Sequence, residues 1–407
     1  MLVHWIWLAT RPGLNDWQKR MVLEAFSGPE DAFYADREDY RKFEWMTQEG
    51  FLSLQDKNLT QAQEILQECM DKHIQICTFQ DASYPQRLKN ISDPPLVLYY
   101  KGRIPEFDAC PVIAAVGTRK ASPYGLGVAK RMGYQIASCG GILVSGLAFG
   151  IDGMAMRGAL TAGGCVVGVL GCGADVVYPA SNRALFADTE QNGCLLTEFP
   201  PGTPPVKWNF PKRNRIISGL SCGVLVVEAP EKSGALITAK QAADQGRDVF
   251  VIPGNVDVSS CIGSNALLRE GAIAVSTGWE VVSEYKALFP DKIRENNAGA
   301  QHLMDVQADI PPMELKVAQK PAAPQKTHKK GKPVKPKEAK PDIEALLQKL
   351  SPQEQKIIAL LRGGAQLVDT VIDQSGLPAG KVLAMLTFME IKGIVVRMPG
   401  KQVALKY

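Results

Sequence analysis

Short apolar runs alternate with longer helix-forming stretches between residues 74 and 288. The runs are four to six residues long and hold few charges, which is typical of strands buried on both faces of a sheet. The stretches between them, such as 125–138 and 236–245, are helix-forming, so the pattern predicts a parallel sheet with helices on both sides. The predicted strands are 112–116, 142–145, 165–170, 195–198, 223–227, 248–252 and 272–276.

The first 75 residues lack this alternation and predict short amphipathic helices. Asn15 can cap a helix that has Trp17 and Val22 on one face, and Gly28 and Pro29 begin another. The apolar start of the chain has no basic segment ahead of it, so we expect a buried helix rather than a signal peptide. We interpret this region as a helical, SAM-like packing domain, and a hairpin that contacts nucleic acid is the alternative.

The segment 291–341 cannot bury enough apolar surface to fold, and it predicts a flexible, extended linker. Between residues 316 and 340 it holds nine lysines and one acidic residue, with prolines among them. Two roles stay open for it, a solvated spacer and a weak electrostatic tether for nucleic acid.

A helix-turn-helix pattern with a hairpin follows over 342–407. Ser351 and Pro352 begin a helix with a capping box, helices are predicted at 368–374 and 379–392, and two β runs follow them. This order predicts a winged helix. Its cations are scattered, so DNA contact and protein contact both stay open as its role. Between residues 379 and 401 these cations are Lys381, Lys392, Arg397 and Lys401.

Charge is distributed unevenly along the chain. The 46 Lys and Arg against 42 Asp and Glu give a net charge of +4, and the segment 316–340 alone contributes +8. The rest of the chain therefore carries −4, yet its stretches 109–151 and 199–227 hold no acidic residue. A slightly acidic body with two acid-free basic stretches indicates a local anion site.

Two turns rich in small residues each join a predicted strand to a predicted helix in the first acid-free stretch. Glycine lets backbone amides approach a phosphate, hydroxyls donate hydrogen bonds, and a helix N-terminus adds positive potential. Each could be a tight turn alone, but their occurrence together favours phosphate binding. The candidate residues are Gly117, Thr118, Arg119, Lys120 and Ser122 in the first turn and Ser145, Gly146, Leu147, Ala148 and Gly150 in the second.

Aromatic and basic residues are interleaved in the second acid-free stretch, as single-stranded nucleic acid requires for phosphate pairing and base stacking. A solvated basic loop is the alternative. Because both stretches begin where predicted strands end, we expect them to converge at one edge of the sheet. The candidate residues are Phe210, Lys212, Arg213, Asn214 and Arg215.

The sequence lacks the residue patterns typical of zinc sites, dinucleotide-binding sites and membrane-spanning helices. The nine cysteines include no Cys-x-x-Cys pair, which argues against a zinc site and for free thiols in a reducing cytoplasm. The segment 171–173 lacks the third glycine of a dinucleotide-binding turn, and no stretch is apolar enough to span a membrane. We expect no catalytic residue, no metal and no cofactor. The histidines all lie outside the motif-bearing sheet, at His4, His73, His302 and His328.

Two carboxylates, Asp152 and Glu198, lie close to the motifs, and we expect each to orient loop amides or cations. An enzyme is the competing interpretation: a nucleotide-hydrolysing Rossmann protein like the lysine-decarboxylase-like phosphoribohydrolases. That group has a glutamate three residues after a threonine in its motif, and the comparable segment 231–241 lacks it.

These segments resemble the DNA-processing protein A (DprA/Smf) family, whose motifs occur here in the same order over about 200 residues. The chain departs from the family at Met156 and Ala235, where members often have histidine and serine. The segments that carry the resemblance are 84–102, 116–125, 145–152, 171–182, 197–205, 210–221, 226–239, 246–254, 263–272 and 386–400.

The resemblance implies an α/β fold, an extended Rossmann-like doubly wound sheet with an N-terminal helical domain and a C-terminal winged-helix domain. It also implies single-stranded DNA binding, a homodimer, and loading of the RecA recombinase during natural transformation. By motif, Arg119 and Lys212 match phosphate-contacting positions, and Leu267 and Leu268 match the dimerisation region. The expected domains are 1–75, 76–290, the linker 291–341, and 342–407.

Overall fold

The computed structural model describes residues 2–295, 351–391, 394–398 and 402–405. These residues belong to two compact units, one on each side of the lysine-rich segment. Most of the predicted linker 291–341, and residues 342–350 of the predicted winged helix, lie outside the described residues. The predicted domain boundaries stay predictions.

The first unit begins with helices, as the sequence predicts. Asn15 caps the second helix by accepting a hydrogen bond from the Gln18 amide at 2.8 Å. Trp17 is 42% exposed and packs against Trp45, so the predicted apolar face is wrong there, although Val22 is fully buried. The helices are α1 (Leu2–Ala9), α2 (Asp16–Ala25), α3 (Pro29–Tyr34), α4 (Arg37–Tyr40), α5 (Gln48–Gln55) and α6 (Thr60–Asp71).

A nine-stranded sheet follows in the first unit, in the order β1-β2-β6-β5-β4-β3-β7-β8-β9. The seven strands from β6 to β9 in this order are parallel, at or within a few residues of the predicted positions. The strands are β1 (Gln75–Thr78), β2 (Val97–Gly102), β3 (Val112–Val116), β4 (Ile142–Ser145), β5 (Val166–Val169), β6 (Gly193–Thr197), β7 (Gly223–Val226), β8 (Asp248–Val251) and β9 (Ile273–Ala274).

One edge of the sheet differs from the prediction of a wholly parallel sheet. Strands β1 and β2 pair antiparallel with each other, and β2 pairs antiparallel with β6. Val97 and Tyr99 of β2 pack into the core formed by the N-terminal helices, which explains why this edge is covered. The pattern of crossover helices could not predict these strands, because antiparallel neighbours need no helix between them.

Helices cover both faces of the sheet because its central strands are apolar on both. Ile113 and Ala115 of β3 face one core, and Val112, Ala114 and Val116 face the other. The helices are α7 (Gln86–Lys89), α8 (Pro123–Ser138), α9 (Ile151–Thr161), α10 (Arg183–Gln191), α11 (Asn209–Leu220), α12 (Gly234–Asp244), α13 (Ile262–Arg269) and α14 (Gly278–Ser283).

The second unit is a small helical domain with a three-stranded antiparallel sheet, in the order β10-β12-β11. Ser351 caps its first described helix with the predicted capping box, and Ile357, Val382 and Val403 share its core. Its elements are α15 (Pro352–Leu361), β10 (Gln366–Leu367), α16 (Val368–Ser375), α17 (Ala379–Ile391), β11 (Val395–Met398) and β12 (Gln402–Leu405).

Candidate nucleic-acid interface

A cleft of about 280 Å³ opens at the carboxyl ends of β3, β4 and β7. Strand β3 lies between β4 and β7, and the strand order reverses direction there. Ligands of open α/β sheets bind at such a reversal. The cleft therefore lies where the sheet topology predicts a binding site.

The first predicted turn forms one wall of the cleft and is held by Glu228. The Thr118 amide donates to the Glu228 carbonyl at 2.7 Å, and the Ser122 hydroxyl donates to the Glu228 carboxylate at 2.9 Å. Ser122 also caps α8 by accepting from the Gly125 amide. Arg119 and Lys120 lie between these fixed points and are exposed.

The second predicted turn packs directly behind the first. Leu147 and Gly150 have positive φ angles of 54° and 77°, and a Cβ at Gly150 would collide with the Thr118 carbonyl oxygen. Ser145 donates to the Ala115 carbonyl at 2.6 Å, and the Gly146 amide donates to the Asp152 carboxylate at 3.1 Å. The amides of Thr118 and Gly146 thus bond within the protein, which differs from the expectation that these turn amides face a phosphate.

Helix α11 forms the opposite wall and brings Phe210, Arg213 and Asn214 to the cleft. Residues at i, i+3 and i+4 share one face of a helix, so these three lie together. The guanidinium groups of Arg119 and Arg213 lie 5.4 Å and 5.9 Å from the centre of the Phe210 ring. The two acid-free stretches therefore meet at Phe210, as predicted.

Arg213 is buried, whereas Arg119 is exposed. Arg213 donates to the carbonyls of Gly146 and Val169, and Asp152 lies beside it. Burial lowers the pKa of Arg213 to about 10, and the attraction of Asp152 opposes that shift. Burial likewise raises the pKa of Asp152, against the pull of Arg213. Asp152 thus orients a loop amide and a cation, as expected.

Lys212 and Arg215 do not reach the cleft. They lie three residues apart on another face of α11, where acidic residues surround them. Lys212 pairs with Asp16 at 2.8 Å and with Glu198 at 3.4 Å. Arg215 pairs with the same two carboxylates at 2.9 Å and 2.7 Å, and with Asp93 at 2.9 Å.

We call this group of five charged residues the α2–α11 ion cluster. Burial alone would lower the pKa values of Lys212 and Arg215, but Glu198 and Asp16 outweigh burial and raise both. Burial alone would raise the pKa of Asp16, but Lys212 and Arg215 outweigh it, so that pKa is lowered. Glu198 orients cations here, as expected. Lys212 and Arg215 were predicted to meet the first acid-free stretch at the sheet edge. They lie instead on a different face of α11 from Phe210 and pair with acidic residues.

Three functional candidates were missed from the sequence. Glu228 fixes the first turn, Lys232 lines the cleft as an exposed cation, and Tyr178 lies 5.5 Å from Phe210 between ring centres. Lys232 sits beside Glu231, so a search for acid-free stretches passes over it. Tyr178 and Glu228 lie within segments that carry the family resemblance, and that signal could have identified them.

Leu267 and Leu268 lie on α13, do not line the cleft, and are partly buried against the sheet core. Met156 is fully buried in the core on the other face of the sheet. Within the described ranges, no helix has both the length and the hydropathy needed to cross a membrane. The same ranges contain no group of three or more His, Cys, Asp or Glu side chains that could hold a metal ion.

Comparison with known proteins identifies the family. The family model for DNA recombination-mediator protein A matches residues 75–286, and the model for the DprA winged helix domain matches residues 338–401. The chain belongs to the DNA recombination-mediator protein A family. This confirms the resemblance to the DprA/Smf proteins.

Relatives of this family cover much of the chain. Protein Smf of Synechocystis is 36% identical over 83% of this chain and 81% of its own length. DNA processing protein DprA of Bacillus subtilis is 44% identical over 49% of this chain and 68% of its own length. The crystal structure of DNA processing protein A from Streptococcus pneumoniae matches with a TM-score of 0.63 at 32% identity, and covers 70% of this chain and 98% of that one. The predicted α/β fold with a winged helix is confirmed.

Proposed function

We propose that this chain binds single-stranded DNA in the cleft around Phe210, protects incoming strands, and loads the RecA recombinase during natural transformation. The observation that carries the proposal is a partly exposed aromatic ring with two arginine guanidinium groups at 5.4 Å and 5.9 Å from its centre, one of them exposed. A ring can stack on any base, and an exposed guanidinium group beside it can hold an adjacent phosphate, so this arrangement suits single strands of any sequence. Membership of the recombination-mediator family supports the role in transformation.

Within the cleft, Arg119 and Phe210 are the proposed DNA contacts, with Lys232 added from the structure, and buried Arg213 is proposed to add positive charge beside the ring. Ser122, Ser145, Leu147 and Gly150 are proposed to shape the turns rather than touch DNA. Exposed Lys120 is a further phosphate contact in this proposal. Arg119 is the strongest of these candidates, because it is exposed and forms no ion pair among the described residues.

The proposed role is binding without bond cleavage. Asp152 is the carboxylate that lines the cleft, and its oxygen accepts the Gly146 amide while Arg213 lies beside it. A carboxylate engaged in this way is poorly placed to act as a general base. Incubation with single-stranded DNA or with AMP-type nucleotides tests this, and turnover that is lost in Asp152→Asn would overturn it.

The proposal includes a homodimer and a cytoplasmic location. Strand β9 is an edge strand whose two residues, Ile273 and Ala274, are exposed, and Val256 and Ile262 in the segment before it are 80% and 46% exposed. Exposed apolar groups beside a free sheet edge favour pairing with a second chain. Leu267 and Leu268, the residues proposed for dimerisation, are partly buried against the adjacent core. Nine free cysteines suit a reducing compartment.

Arg119→Ala tests the DNA site. We expect roughly 5- to 150-fold weaker binding to single strands, which corresponds to one lost charge-assisted contact, and an unchanged melting temperature. Fluorescence anisotropy at several salt concentrations measures this, with duplex DNA of the same sequence for comparison. Wild-type affinity should fall by about 0.7 log units per phosphate contact for each log unit of salt. The proposal would be overturned if Arg119→Ala bound single strands as tightly as the wild-type protein does. It would also be overturned if the wild-type protein bound duplex DNA as tightly as single strands.

A further inference from the structure

A second and larger cavity, of about 720 Å³, lies on the far side of the 145–150 turn. Helices α8 and α9 line it, together with Ser181 and Asn182 before α10 and Asp188 within α10. Ala148 lines both this groove and the Phe210 cleft. Phe149 lines both the groove and a small recess that also touches Arg119, Phe210 and Tyr178. The two cavities are therefore neighbours that share one wall, and we call the larger one the α8–α9 groove.

Two cations face this groove from different helices. Lys130 comes from α8 and Arg157 from α9, and neither forms an ion pair among the described residues. The helices can approach closely because Gly158 packs on the Lys130 carbonyl, where a Cβ would collide. Asp188 is the acidic residue in the lining. The groove therefore carries a small net positive charge, with one cation on each of the two closely packed helices.

Two exposed aromatic rings line the recess that adjoins both the cleft and the groove. Tyr178 and Phe149 are 39% and 45% exposed, although both are large apolar side chains. Tyr178 lies against Phe210, and both Tyr178 and Phe149 line the recess between the two cavities. Rings that follow one another beside cations are what a single strand needs for successive bases and phosphates.

We infer that the α8–α9 groove is a second binding site for single-stranded DNA, continuous with the Phe210 cleft. Lys130 and Arg157 hold phosphates there, and Phe149 stacks on a base. This inference rests on the proposed function, since it extends the same strand. It predicts that strand length matters: a short oligonucleotide occupies the cleft alone, and a longer one also reaches the groove.

The test compares oligothymidylates of about 4 and about 16 nucleotides, the range that single binding modules occupy. Arg157→Ala should weaken binding of the long strand about fivefold or more and leave the short strand unchanged. Asp188→Asn removes the negative charge from the groove, and it should strengthen binding of the long strand only. Arg103→Ala and Glu190→Gln are the controls, because both residues are exposed and lie outside the groove.

The outcomes separate this inference from the proposed function. If Arg119→Ala weakens both strands while Arg157→Ala and Asp188→Asn leave both unchanged, the groove site is overturned and the cleft stands. The groove site is also overturned if Arg157→Ala weakens both lengths equally at an unchanged melting temperature. If Arg119→Ala changes neither length, the cleft itself fails, and the groove inference fails with it. Asp188→Asn keeps the test decisive even if Arg157→Ala lowers the yield of folded protein.

Discussion

Two faces of helix α11 carry cations from the same acid-free stretch and use them differently. On the cleft face, Arg213 lies over Phe210 together with the exposed Arg119. On the other face, Lys212 and Arg215 are bound to Asp16, Asp93 and Glu198 in the α2–α11 ion cluster. One face offers positive charge to a ligand, and the other uses it to fasten the N-terminal helices to the sheet.

The difference teaches that a basic run along a sequence is not a basic surface. Helical geometry turns successive residues by about 100°, so neighbours in the sequence face different surroundings. The neutralising carboxylate of Asp16 lies 199 residues from Arg215 in the chain. A count of local charge assigns both faces to DNA, whereas in the folded chain only the face with Phe210 and Arg213 lines the cleft.

The largest effect is expected from Arg215→Ala, which breaks the ion cluster. Arg215 is 4% exposed and binds three carboxylates, so its loss leaves buried Glu198 paired with Lys212, and buried Asp16 paired with Lys212 and Lys19. Removing one partner of a buried ion pair costs about 3–5 kcal/mol. Urea unfolding followed by circular dichroism should show this loss. Arg119→Ala is the control and should unfold like wild type. A stability of Arg215→Ala within about 1 kcal/mol of wild type would contradict the distinction between the two faces.

A smaller effect separates two lysines of the same stretch, Lys207 and Lys212. Lys207 is exposed, precedes α11 next to the 75% exposed Trp208, and forms no ion pair among the described residues. We expect Lys207→Ala to weaken single-strand binding roughly tenfold and to lower the salt slope by about 0.7. Lys212→Ala should change affinity less than about threefold and leave the slope unchanged, because carboxylates already neutralise Lys212. Salt titrations of both variants measure this, and the reverse ranking would refute it.

The smallest effect concerns pH and Asp16. Its lowered pKa means that its ion pairs stabilise the fold above the ordinary value of 3.8, and that this stability is lost as the pH falls through the folded value. Asp16→Asn should therefore cost roughly 1 kcal/mol at neutral pH, between the values for exposed and buried pairs. The cost should shrink as the pH falls below 3.8. Urea midpoints measured across this range check it, with Asp31→Asn in the first turn of α3 as control. A cost that does not vary with pH would show that charge is not the cause.

The sequence predicted the centre of the fold better than its edge. The bounds of β3 and β4 agree with prediction to the residue, because apolar strands between crossover helices have a strong local signature. Strands β1 and β2 were missed, since antiparallel pairing at a sheet edge leaves no such signature. The prediction that Trp17 lies on a buried face was wrong. Its partly exposed ring packs on Trp45, and helical periodicity cannot predict that contact.

For the candidate site, the sequence identified the turns and the ring but not the partners of each charge. Arg119 and Phe210 lie in opposite walls of one cleft because the topology brings the strand ends together, which is predictable. Lys212 and Lys207 could be told apart only by the position of Asp16, which depends on how α2 packs. Likewise, the family resemblance covers Glu228, but its role as the anchor of the first turn depends on the pairing of β3 with β7.

That anchor has a thermodynamic consequence. Glu228 fastens the 118–122 turn at both ends through its carbonyl and its carboxylate, so the backbone under Arg119 is ordered before any ligand arrives. Ordering a backbone residue costs about 1–2 kcal/mol of conformational free energy. A loop that is already ordered by folding does not add this cost to the free energy of DNA binding. Association should then be limited by diffusion and side-chain adjustment rather than by loop closure. Replacing Glu228 would make the turn fold upon its ligand, and the entropy of binding would become more unfavourable even where the enthalpy of the contacts is kept.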